Sequence, residues 1–274
     1  MVKKYGELYL QARKALRPMD GDDASSEARE LLAWLSGKTP EKILTDWELY
    51  ATEALEQAMD ACIARMLQGE PLAYVVGSAS FCGLTLRVTP DVLIPRDDTM
   101  AVTELALEAL RTIPAPQRVL DLCTGSGCIG LALASRYPQA RATLADISPE
   151  ALKIARENAA SLHLSTRATV FQADAMQSAA PFLGKFDLLV SNPPYVTQAE
   201  MERLPVPVRN YEPSLALCGG EDGLDFYRAI LKNYLSVLKP GGAVCFEFGL
   251  GQQAAVGTLL EQAGLCEIVF RKDY

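Results

Sequence analysis

The run Asp121-Leu122-Cys123-Thr124-Gly125-Ser126-Gly127-Cys128-Ile129-Gly130 constrains this chain more than any other stretch. It joins an apolar strand pattern at 118–122 to a helical pattern at 127–137. Glycines at such a junction let the backbone turn tightly and let a ligand approach the main chain. In an open α/β sheet the same junction is the crevice where ligands bind. Gly125, Gly127 and Gly130 spell G-x-G-x-x-G, and Asp146 ends the next strand 21 residues beyond Gly125. That spacing sets an acid where ribose hydroxyls can donate to it, as a nucleoside-containing cofactor requires. The spacing alone does not choose between a nicotinamide dinucleotide and S-adenosylmethionine.

The alternation continues on both sides of this junction. Apolar strands are expected at 118–122, 142–146, 168–171, 186–190 and 242–248, with helices at 127–137, 149–162 and 224–238. Pro149 takes the first-turn position that tolerates it, and Pro240-Gly241-Gly242 stops the last of these helices. Continuous apolar strands separated by helices predict a Rossmann-like, doubly wound parallel sheet over residues 96–274.

Residues 1–70 read as a small helical bundle. Tyr5, Leu8, Tyr9, Ala12 and Leu16 recur at helical steps until Pro18 and Gly21 end the pattern. Ser25 or Ser26 caps the next helix, whose apolar side is Leu31, Leu32, Trp34 and Leu35, and Gly37 closes it. Residues 51–67 repeat the pattern with Leu55, Met59, Cys62, Ile63 and Met66. Between the two regions, Tyr74-Val75-Val76-Gly77 and 81–88 read as strands around a glycine turn, a β-hairpin linker over 71–95.

Composition removes several function classes. No uncharged apolar run approaches the roughly 20 residues that cross a bilayer, so no membrane association is expected. Met1-Val2-Lys3-Lys4 begins like a signal peptide, but Glu7, Arg13 and Lys14 interrupt any apolar region, which predicts a cytoplasmic protein. The net charge of −8 is divided evenly between residues 1–70 and 71–274, with no basic arm to hold nucleic acid stably. Seven cysteines without a C-x-x-C pair, and a single histidine, His163, give no zinc pattern, and no metal is expected.

The acids at the strand ends favour S-adenosylmethionine over a dinucleotide. Asp121, ahead of the glycines, repels a pyrophosphate and suits a cationic sulfonium. Asp146 suits the ribose, and Asp174, after the third strand, suits the adenine amino group. The sharper signal is Ser191-Asn192-Pro193-Pro194-Tyr195, directly after the fourth strand. Consecutive prolines leave the Pro193 carbonyl without a claim from a following amide hydrogen. Asn192 offers a second acceptor, and Tyr195 a flat face for stacking. Together they form a clamp for a planar –NH2 group; the competing reading is a proline turn leaving a sheet.

At this point the chain resembles the peptide chain release factor N5-glutamine methyltransferases, the HemK/PrmC family of class I S-adenosylmethionine-dependent methyltransferases. The matching residues are Pro71-Leu72-Ala73-Tyr74, Gly77, Phe81, Gly83, Ile94-Pro95-Arg96, Asp121 to Gly127, Asp146 and Asn192 to Tyr195, followed by Tyr211-Glu212-Pro213, Gly219-Gly220, Asp222-Gly223-Leu224, Glu247-Phe248-Gly249 and Gln252-Gln253. The resemblance covers essentially the whole chain and implies that residues 1–70 recognise the substrate. It implies transfer of a methyl group to the glutamine of the Gly-Gly-Gln loop of class I release factors. The implied cofactor set is Asp121, Cys123, Thr124, Gly125, Ser126, Gly127, Asp146, Ile147, Asp174, Ala175 and Asn192. S-adenosyl-L-homocysteine is the implied product. Asn192, Pro193 and Tyr195 are the expected catalytic residues, with Pro194 completing the substrate site. Glu247 is read as structural.

Other substrates keep the same chemistry: a ribosomal-protein glutamine, or adenine N6 of nucleic acid, which the acidic charge disfavours. A non-catalytic release-factor adaptor is the remaining alternative. The chain also departs from the family. It has Pro95-Arg96-Asp97-Asp98-Thr99 where relatives read Pro-Arg-Pro-Glu-Thr, and Cys123 where glycine is common, which a cysteine fills if its φ is negative. Relatives add a last antiparallel strand beside the fifth. Here a strand-like 265–270 stretch is followed only by Arg271-Lys272-Asp273-Tyr274, so the far edge of the sheet is expected to differ.

Overall fold

Leu8, Ala12 and Leu16 stand four residues apart, so they fall on one side of α1 (Tyr5–Asp20), and all three are buried. A computed structural model of the protein describes residues 2–21 and 23–272. It divides into two compact units, Met1–Gly77 and Ser78–Tyr274, the boundary falling inside the 71–95 stretch.

The first unit is helical. Pro18 does not end α1 but sits in its last turn, and Gly21, at φ 53°, closes it with an N–H to Arg17 O bond of 3.1 Å. The helix α2 (Ala24–Ser36) starts at Asp23 rather than at Ser25 or Ser26. The Ser26 hydroxyl donates back to the Asp23 carbonyl at 2.8 Å, so it already lies within the first turn. The buried stripe of α2 is Ala24, Ala28, Leu31 and Leu32, with Leu35 packed against it; Trp34, off that stripe, is exposed. A short α3 (Pro40–Thr45) and a longer α4 (Glu53–Met66) begin at Thr39 and Thr52, whose hydroxyls accept from Lys42 N and Leu55 N. Leu55, Met59, Cys62, Ile63 and Met66 are buried along α4, as their spacing predicts.

The expected strand at Tyr74-Val75-Val76 is instead α5 (Leu72–Val76). The Pro71 carbonyl accepts from both Tyr74 N and Val75 N, and Gly77 ends the turn in the left-handed region. Val75 belongs to the first unit's core, so packing overrides the β-branched preference for a strand. The hairpin is β1 (Ser78–Phe81) and β2 (Leu84–Arg87), joined at Cys82-Gly83, both with positive φ as a tight two-residue turn requires. It is not a free linker. Phe81 and Leu86 are buried in the second unit, and Asn158 bonds both the N–H (2.7 Å) and the carbonyl (3.0 Å) of Arg87.

After α6 (Thr99–Thr112) come β3 (Gln117–Leu122), α7 (Cys128–Arg136), β4 (Ala140–Asp146), α8 (Pro149–Ser161), β5 (Ala168–Gln172) and β6 (Phe186–Ser191). Two short helices, α9 (Gln198–Met201) and α10 (Val206–Tyr211), lead to α11 (Asp225–Tyr234), β7 (Leu238–Phe246) and α12 (Gln253–Gln262). The sheet order is β5-β4-β3-β6-β7, every pair parallel. Val119, Ala142 and Leu188 face α6, α7 and α8 on one side, while Leu120, Leu122 and Leu189 face α11 on the other. The chain winds outward from β3 in both directions, so the carboxyl ends of β3 and β6 flank the crevice where such sheets bind ligands.

Two expectations at the far edge are corrected. The fifth strand begins earlier than residue 242 and contains Pro240, because the pairing jumps from Phe186↔Leu238 to Leu188↔Ala243 and leaves the proline outside the ladder. The 265–270 stretch forms no strand. Phe270 instead packs edge-on against Phe248 at 5.9 Å, and Arg271 pairs with Glu108 of α6 at 2.8 Å. Asp273 and Tyr274 lie outside the described residues. Among the described residues no helix is long and apolar enough to cross a membrane, and no His, Cys, Asp and Glu group could hold a metal ion.

Candidate active site

The carboxyl ends of β3, β4, β5 and β6 converge on one cavity of about 260 Å3. Cys123, Thr124, Gly125 and Ser126 line it from the loop after β3. Asp146 and Ile147 line it at the end of β4, Asp174 and Ala175 after β5, and Asn192 and Pro194 after β6.

The glycine loop is held from behind the wall as well as from the wall itself. Asp121, fully buried and absent from the cavity wall, accepts from the Thr124 hydroxyl (2.6 Å) and Gly130 N (2.8 Å) through Oδ2. The expectation that this acid lies inside the crevice is therefore corrected: it ties the loop to the first turn of α7. Burial pushes its carboxyl up to about 7, against the pull of those two donors. Gly127 also stands behind the wall, capping α7 at φ 85°. A Cβ on Gly130 would lie 2.3 Å from Leu144, so the third glycine of the pattern serves helix–sheet packing. Cys123 has φ 59°, not the negative value expected of it, and an L-residue held there costs roughly 1–2 kcal/mol.

Asp146 joins the loop to its own strand. Its Oδ2 accepts from Gly125 N (2.8 Å) and its Oδ1 from Ser148 N (3.0 Å). Burial raises its pKa, partly offset by these amides. Asp174 Oδ1 accepts from Met176 N at 2.8 Å, which turns the chain under the cavity.

The tetrapeptide after β6 divides between wall and support. Asn192 Nδ2 donates to Thr99 Oγ1 at 3.3 Å; among the described residues nothing donates to Asn192 Oδ1 or to the Pro193 carbonyl. Pro193 and Tyr195 do not line the cavity. Tyr195 packs beside Leu224, Tyr227 and Val256, its carbonyl accepts from Gln252 Nε2 (3.0 Å), and burial beside Glu247 pushes its hydroxyl up to about 12.

Several wall residues carry no role in the sequence reading. Asp91, Pro95 and Arg96 approach from before α6, Thr99 from its first position, and Pro213 and Leu215 from after α10. Buried Glu212 clasps the two segments, accepting from Ile94 N (3.2 Å) and from Arg96. Ile94-Pro95-Arg96 and Tyr211-Glu212-Pro213 were visible in the sequence, but nothing local shows that they meet. Glu212→Gln leaves Arg96 without its counter-charge. Because the Arg96 side chain is 37% exposed, the expected loss is about 1–3 kcal/mol, read as a lower thermal midpoint at pH 7. An unchanged midpoint would remove the clasp from the account.

The wall fits S-adenosylmethionine better than a dinucleotide. It presents Asp91, Asp146 and Asp174, and its one basic side chain, Arg96, is already paired with Glu212. A pyrophosphate would meet these acids, whereas a sulfonium and hydroxyls suit them. The Ser126 hydroxyl, on the wall, is also buried without a hydrogen-bond partner among the described residues.

Comparison with known proteins identifies the family. Residues 96–205 match the family described as the methyltransferase small domain, and residues 7–77 match the PrmC N-terminal domain. A release factor glutamine methyltransferase from Geobacter sulfurreducens is 39% identical, covering 89% of this chain and 92% of its own. Proteins of the same name from Clostridium acetobutylicum (35%; 99% and 95% covered) and Moorella thermoacetica (43%; 87% and 83%) are similar. Among solved structures, TrmN from Thermus thermophilus is 27% identical with a TM-score of 0.41, covering 60% of this chain and 41% of that one. With both domain families matched in order and more than a third of its residues shared along nearly full-length relatives, the chain belongs to the release factor glutamine methyltransferases.

Proposed function

We propose that this protein methylates the side-chain amide nitrogen, N5, of the glutamine in the Gly-Gly-Gln loop of class I peptide chain release factors. The observation that carries the reading is the pair of unclaimed acceptors, Asn192 Oδ1 and Pro193 O, at the end of β6 beside an acid-lined cavity. S-adenosylmethionine, when bound, supplies a methyl group activated by its sulfonium leaving group. Asp146 would hold the ribose hydroxyls and Asp174 the adenine amino group.

An amide nitrogen is a weak nucleophile because its lone pair is shared with the carbonyl, so the protein's contribution is chiefly positioning. Two acceptors hold the two hydrogens of the –NH2 and stabilise the positive character that grows on nitrogen during attack. The extra proton leaves the product to water. Residues 1–77 would recognise the release factor, and that substrate points to the cytoplasm.

Labelled S-adenosylmethionine incubated with the protein and a release factor should label the factor, and not its Gln→Ala loop variant. Label on duplex DNA would transfer the reading to adenine N6. Label on ribosomal protein alone would transfer it to that glutamine. Cofactor binding with no label on any of them would leave an adaptor.

A further inference from the structure

We propose that Glu247 is a positioning residue for Asn192, holding the nitrogen side of that amide so that its carbonyl oxygen faces the methyl-accepting group. The inference rests on the function proposed above. Glu247 follows β7, next to β6 in the sheet, and its N–H bonds Ser191 O at 3.0 Å, which sets it beside Asn192 across the strand pair. Its own carbonyl accepts the Tyr227 hydroxyl at 2.8 Å, fixing the backbone at this point. Its Oε2 is buried with no hydrogen-bond partner among the described residues.

The chemistry of the neighbours assigns the role. Asn192 reaches Thr99 by a long bond, and a threonine hydroxyl both donates and accepts. Thr99 therefore cannot decide which way the Asn192 amide points. An ionised carboxylate only accepts, so a charged Glu247 turns the –NH2 toward itself and leaves Oδ1 for substrate. A protonated Glu247 is a donor and competes for Oδ1.

Several groups face this carboxyl. The Thr99 hydroxyl, the Asn192 amide and the Tyr195 hydroxyl favour its charged form, while burial and Asp98 at the start of α6 oppose it. The Tyr227 hydroxyl and the Cys128 thiol are both pushed up, in part by its charge. Burial prevails and raises the Glu247 carboxyl to about 7. The charged, orienting form therefore dominates above about pH 7 and is lost as pH falls through it.

The test is a pH titration of full-length protein carrying 13C-carboxyl-labelled glutamate, followed by NMR without substrate. The Glu247 resonance is the one missing from Glu247→Gln. Its midpoint should lie near 7 and should move to higher pH in Asn192→Ala, since Asn192 favours the charged form. In parallel, kcat for release-factor methylation should rise with pH through the same midpoint. Glu247→Gln should lower kcat by about 10- to 100-fold, flatten that profile and leave KM for S-adenosylmethionine within about threefold. A midpoint that Asn192→Ala does not move, or a Glu247→Gln enzyme with the wild-type kcat and pH profile, overturns the proposal. If wild-type protein methylates no release factor, the proposed function fails, while the titration still decides whether Glu247 and Asn192 are coupled.

Discussion

Replacing Asn192 with alanine is expected to lower methyl transfer to the release factor by about 100- to 1,000-fold, with affinity for S-adenosylmethionine kept within about threefold. The size follows from the role proposed for it, as one of two preorganised acceptors for a nitrogen that gains charge only as the bond forms. Asn192 lines the cavity beside Pro194, and its backbone is fixed by β6 and two prolines, so truncation at Cβ leaves the loop in place. Single-turnover transfer and equilibrium cofactor binding, measured on one preparation, separate the two effects. Loss of binding with transfer retained would reassign Asn192 to the cofactor.

Asp146→Ala should do the opposite. Binding of S-adenosylmethionine should weaken by about 1–3 kcal/mol, from lost hydrogen bonds to a charged acceptor. The same carboxylate accepts from Gly125 N and Ser148 N, so its removal also frees the glycine loop and the start of α8. Calorimetric titration gives the affinity; transfer at saturating cofactor should recover most of the wild-type rate. A variant with normal affinity and a collapsed saturated rate would contradict the assignment.

The parts of the fold legible in the sequence are those with long local signals. The strands β3, β4, β5 and β6 are apolar runs, and each strand end was found to within about two residues because an acid, a glycine or a proline follows it. Elements of one or two turns, such as α3, α5, α9 and α10, are too short for a 3.6-residue period to register. In α5 the misreading had a definite cause: valines flanked by glycine look like a strand until Pro71 and the first unit's core are known.

The site divides along the same line. Asp146 ends β4, Asp174 lies two residues beyond β5 and Asn192 directly follows β6, so finding the strand finds the wall residue. Asp121 was found by the same route, but the sequence does not tell a residue above the loop from one beneath it. The Arg96–Glu212 clasp and the Asn192–Thr99 bond join residues 116 and 93 positions apart, and no local pattern announces such pairs.

The open side of β7 carries a consequence for solubility. Among the described residues no strand pairs with that side, and an unpaired edge offers amides and carbonyls to any extended chain that approaches. Pro240 removes one donor from the strand, and the jump in pairing bends its beginning away from a flat ladder. Beyond β7, the tail is fastened by Phe270 on Phe248 and by Arg271 on Glu108, and surface ion pairs of the second kind weaken with salt. Pro240 and the jump in pairing therefore make the start of this edge a poor template for an approaching strand.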